Sequence, residues 1–143
     1  MGRWPAVLGW ITALVVAGAV VGGIWHVGGP FAARRAKLDA ERVDRIVELV
    51  WAVRQHFDEG KQLAKSLDEV DRYLWGGSDS RVDPETSRRF EYRKVGEKQF
   101  EICAVFDTDA SKERRGYSTD AEFSALYQHR AGRQCFRFTV GTN

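Results

Sequence analysis

The sequence predicts an α+β chain made of a single N-terminal transmembrane helix, a long amphipathic helix and a small antiparallel sheet on which that helix packs. Three observations predict it. From Trp4 to Ala33 there is no Asp, Glu, Lys or Arg. From Ala36 to Phe57 apolar residues recur at steps of three and four. Beyond Phe90 the period changes to two, and strands that follow helices along a chain define the α+β class. The expected division is a transmembrane anchor over 1–30 and an α+β domain over 31–143.

The first element rests on length. A helix needs about 20 apolar residues to cross a hydrocarbon core of about 30 Å, and the uncharged run supplies them. A cleaved signal peptide is the competing reading, since Arg3 and the small residues Ala17-Gly18-Ala19 have its form. Apolar character continues through Val20, Val21, Ile24 and Trp25, past the roughly 7–15 residues of a signal core, which favours a retained anchor. Gly18 and Gly22, with Ala19 and Gly23 beside them, place small residues on one helix face where a second helix can approach closely.

The second element is a helix from Ala36 to Phe57, with Ala36, Ala40, Val43, Ile46, Val50, Val53 and Phe57 on one face and Gly60 placed to end it. Ser66-Leu67-Asp68-Glu69 has the capping-box form and predicts a short helix from Leu67 to Leu74, stopped by Gly76-Gly77. Asp83-Pro84-Glu85-Thr86 reads as a turn. Phe90 and Tyr92, then Phe100, Ile102, Ala104 and Phe106, alternate with mostly polar residues around a turn at Gly96-Glu97, predicting a hairpin. Asp107 to Tyr117 is a polar loop, Thr119 with Glu122 caps a short helix through Tyr127, and Cys135 to Val140 alternates again as a third strand.

"SLDEV", "DPET", "FEYRKVGEKQFEICAVFDTD" and "HRAGRQCF" resemble motifs of small bacterial membrane proteins whose exported part looks pilin-like. The order of elements is likewise similar to type IV pilins and type II secretion pseudopilins. The likeness covers most of Ser66 to Phe136. It implies a pilin-like domain in the periplasm. Pilins also carry a processing site, a glycine before Phe-Thr-Leu-Ile-Glu, and "MGRWPAVLGWITALVV" has none. Filament assembly by the pilin route is therefore not implied.

Charge narrows the function classes. The 22 basic and 20 acidic residues are intermixed, for a net charge of +2, which leaves no field to hold nucleic acid. Catalytic signatures are missing: there is no Gly-x-Ser-x-Gly, phosphate-binding glycine loop or His-Glu-x-x-His. Cys103, His129 and Cys135 are too dispersed for a compact metal site, so no cofactor and no metal is expected. His26, beside Trp25, is the one candidate cofactor ligand; an interfacial polar group is its plainer reading.

Cys103 and Cys135 both fall in expected strands, the cysteine count is even, and a domain of about 110 residues gains from a staple. A disulfide is the best supported reading of the pair, over a nucleophile beside His129, a metal ligand or a buried thiol. It requires an oxidising compartment. Arg34, Arg35 and Lys37 after the span point instead to a cytoplasmic domain, and the cysteines are given the greater weight. The chain is thus expected in the bacterial inner membrane, single-pass, its C-terminal domain in the periplasm. Its expected role is that of a non-enzymatic accessory subunit of a larger membrane complex of secretion, respiratory or photosynthetic reaction-centre type. Its partners would be other membrane-protein subunits and membrane lipid. A polymerising pseudopilin-like component and a cofactor- or redox-active membrane subunit are the alternatives.

Overall fold

The structure, a computed structural model, describes residues 4–27, 29–112 and 121–141, and within the first helix the side chains of 7–23. Among the described residues the elements are α1 (Trp4–Val27), α2 (Pro30–Gly60), two 3₁₀ turns (Leu67–Tyr73 and Gly77–Arg81), β1 (Glu91–Lys94), β2 (Gln99–Phe106), α3 (Ala121–Tyr127) and β3 (Gly132–Thr139). Compactness divides them into two units, 1–34 and 35–143. The class is α+β.

The first unit corrects an expectation. Among the described residues no helix is long and apolar enough to cross a membrane. Within α1, Gly9, Gly18, Gly22 and Gly23 add almost no apolar area. The transmembrane helix is therefore not supported, and the single-pass inner-membrane placement with a periplasmic domain falls with it. The expectation of a lipid partner had rested on that span.

α2 begins earlier than its apolar period, at Pro30, where a fixed φ and a missing N–H suit the first helical position. It ends at Gly60, the glycine expected to stop it. Gly60 is still helical, the Lys61 N–H reaches the Phe57 carbonyl at 2.7 Å, and Lys61 takes the left-handed conformation with φ of 54°. The segment that follows, through the first 3₁₀ turn, carries Leu63, Ala64, Leu67 and Val70 into the core. The capping box is not formed, since Glu69 bonds the residue before the cap and not Ser66 itself. Ser66 makes no side-chain cap and Leu67–Tyr73 is 3₁₀, while the Glu69 carboxylate accepts the Lys65 N–H at 2.8 Å.

The sheet has the order β1-β2-β3, antiparallel throughout, with Tyr92 opposite Ile102, Phe100 opposite Phe138 and Cys103 opposite Cys135. Val95 and Gly96 N–H groups close the hairpin on the Gln99 carbonyl. Because side chains alternate, Phe100, Ile102, Ala104, Phe106, Phe136 and Phe138 share one face. They join Val43, Ile46, Leu49, Val50, Val53 and Phe57 of α2 in one core. Arg54 ties the layers, donating to the Thr139 carbonyl and to Glu122 while lying 5.4 Å above the Phe123 ring. β3 starts at Gly132, three residues before the expected Cys135, where a φ of 94° suits glycine.

Candidate functional site

The outer face of the sheet carries the two cysteines. They are directly opposed on β2 and β3 and joined, with Cα atoms 4.0 Å apart. Around them the same register builds an ion ladder. Glu101 accepts from Arg93 and, at 2.9 Å, from Arg137, and Glu91 accepts from Arg133 at 2.5 Å. The hydrogen bonds from Arg93 and Arg137 hold the Glu101 carboxyl below the ordinary carboxylate range.

A second cluster lies beneath α2. Arg42 is 3 % exposed, and its Nε donates to Asp83 at 2.5 Å. Its Nη1 donates to Asp39 at 2.6 Å and to Asp107 at 2.5 Å. Its Nη2 donates to Glu85 at 3.0 Å and to Asp83 at 3.4 Å. A guanidinium has five N–H donors, so none is left for a ligand. Asp83 also accepts the Glu85 and Thr86 N–H groups at 3.0 and 2.8 Å, which is the turn expected of "DPET". Asp39 accepts the Asp107 and Thr108 N–H groups at 3.0 and 2.7 Å, sealing the end of β2. Burial pushes both carboxyls up, but these hydrogen bonds outweigh it and hold Asp39 and Asp83 below the usual range. The cluster clamps α2 to the turn and to β2.

His129 lies beside it. Its ring stacks on Phe106 with centroids 3.9 Å apart, and its buried Nδ1 has no partner among the described residues. It lines a cavity of about 70 Å³ with Asp39, Asp44, Thr108 and Tyr127. Burial pushes the imidazole below its ordinary value despite nearby Asp39. No group of three or more His, Cys, Asp or Glu side chains able to hold a metal ion occurs among the described residues.

A third feature is open. Trp51, Gln55 and Glu59 follow one another at i, i+4 along α2, and with Arg72, Tyr73 and Trp75 they line a groove of about 590 Å³. Glu48, one turn before Trp51, accepts the Gly76 N–H at 2.8 Å and the Ser80 hydroxyl at 2.7 Å, pinning the segment after Trp75 to α2. A Cβ at 76 would lie 2.4 Å from Ser80 Oγ, so a larger residue there would have to displace that hydroxyl.

Of the residues singled out in the sequence, Cys103 and Cys135 are brought together. Gly18, Ala19, Gly22 and Gly23 lie in α1, and a Cβ on any of these glycines would meet nothing within 4 Å among the described residues. The side chain of His26 and the cap at Thr119 lie outside the described residues. The Arg42 clamp, the burial of His129 and the Trp groove were missed. Asp39 and Arg42 did leave a signal, since they fall on the apolar stripe of α2, a costly place for unpaired charges. The Trp51 groove left none, because its two halves lie 13 or more residues apart in sequence and meet only in the fold.

No protein-family model matches the chain, and neither a curated protein nor a solved structure matches it. Fold and geometry together define a disulfide-stapled α+β domain, preceded in the chain by an apolar helix. The likeness to pilins stands on the sequence motifs alone.

Proposed function

We propose that the chain is a non-enzymatic accessory subunit that acts by binding other proteins, with α1 as its docking helix and a pilin-like α+β domain as the part it presents. One observation carries the reading. Val7, Leu8, Trp10, Ile11 and Leu14 of α1 are 53 to 73 % exposed, and Val15, Val16, Val20 and Val21 continue the same apolar surface around the helix. A helix that is apolar all round is stable only when something covers it, and exposed apolar area on this scale marks an interaction surface. The partner is apolar protein surface, since α1 offers no charge to a polar one. The saturated Arg42 clamp and the buried His129 ring support a structural domain without chemistry.

The test is the composition of the assembly recovered with the tagged full chain from its native cells. Leu14→Lys should release the subunit from a stoichiometric complex. Gly18→Ile with Gly22→Ile, which keeps α1 apolar but adds bulk, should do the same if a partner helix approaches at the glycines. A full chain that is recovered alone, as a monomer, refutes the reading.

A further inference from the structure

The groove between α2 and Trp75 is not accounted for by a docking helix elsewhere in the chain. Trp75 is 90 % exposed and Trp51 56 %, so two indoles stand open at this groove. Beside them runs a polar array. The Glu59 carboxylate accepts from Tyr73 Oη at 2.5 Å and from Arg72 Nη2 at 3.0 Å, with Gln55 Nε2 within 3.5 Å. Arg72 also lies 4.7 Å from the Tyr73 ring centroid. One carboxylate and one guanidinium cancel, so the groove exerts no net pull on an anion or a cation.

We propose that this groove binds a neutral saccharide chain, with sugar rings lying on the indoles of Trp51 and Trp75 and sugar hydroxyls paired with Gln55, Glu59 and Arg72. Indole faces carry a partial negative charge and suit the weakly positive C–H face of a pyranose ring. The array alternates acceptors with donors, and a hydroxyl is both. A proline-rich peptide also seeks aromatic grooves, but its carbonyls only accept and would cover Gln55 Oε1 without giving it a donor. An apolar surface from a second copy would bury Gln55, Glu59 and Arg72 with no partners beyond one another and Tyr73. The platform is also held in place before any ligand arrives, because Glu48 fixes Gly76 and Ser80 against α2, and such preorganisation favours binding.

The test is isothermal titration calorimetry of the full chain with cellotetraose, xylotetraose and chitotetraose, run beside a decaproline peptide. At least one tetrasaccharide should bind saturably. Trp75→Ala and Trp51→Ala should each weaken it about tenfold or more, while Trp75→Phe, which keeps a ring, should retain most of the affinity. Urea midpoints of the variants, expected to match the parent, report folding. The proposal is overturned if no tetrasaccharide binds up to about 10 mM, if binding survives Trp75→Ala unchanged, if Phe and Ala at 75 lose affinity equally, or if decaproline saturates the groove where the sugars do not.

Discussion

Arg42 shows how one side chain organises the domain. Its five donors reach four carboxylates contributed by α2, the Asp83 turn and the end of β2. Removing a buried partner leaves uncompensated charge behind, so Arg42→Met should destabilise the fold by about 3–5 kcal/mol, measured by urea unfolding at neutral pH. His129 sets a pH dependence of its own. Burial lowers its folded pKa, and near pH 6 the folded state therefore binds fewer protons than the unfolded one. Stability rises with pH under that condition. It should be fully present above the ordinary histidine value of about 6.5 and be lost as pH falls from there through the folded value. Asp39 and Asp109 face the ring and oppose the shift without cancelling it. Urea midpoints compared at neutral and mildly acidic pH should fall in the parent, and that acid-side fall should shrink in His129→Leu.

At the scale of elements, the outer strand is held in two ways. Its inner face buries Phe136 and Phe138, and its outer face carries the bond from Cys135 to Cys103 across a sequence separation of 32. On the loop-entropy model a closure of that length stabilises by about 3–4 kcal/mol. Replacing both cysteines with alanine should lower the urea midpoint by a corresponding amount, and a reductant should reproduce the loss in the parent but not in the double variant. Most elements were legible from periodicity. The steps of α2 and the alternation of β2 each follow from one face meeting the core, so the pattern is local. What local pattern could not show was helix type over Leu67–Tyr73 and the early start of α2 at Pro30. The first depends on where Leu67 and Val70 are drawn into a core built from distant strands.

For the molecule as a whole, two surfaces stand open and ask for different partners. α1 carries no charge and large exposed side chains, which fits apolar protein surface. The Trp51 groove mixes indoles with paired polar groups. Because the two lie in separate compact units, Leu14→Lys should leave the groove's calorimetric behaviour unchanged, and Trp75→Ala should leave the assembly's composition unchanged. A Leu14→Lys variant that loses both would mean the surfaces act together.

The sequence by itself determined the α+β class, the apolar face of α2, the hairpin and the strand positions of both cysteines, because each follows from local periodicity and turn chemistry. It did not determine what α1 does. An uncharged run reads the same whether it spans a bilayer or not, and among the described residues no helix is long and apolar enough to cross one. Only the tertiary structure decided that Asp39 and Arg42 are core residues, that His129 is buried against Phe106 and that Trp51 and Trp75 share a groove. Each of these unites groups remote in sequence, and charge pairing, stacking and concavity are properties of the meeting.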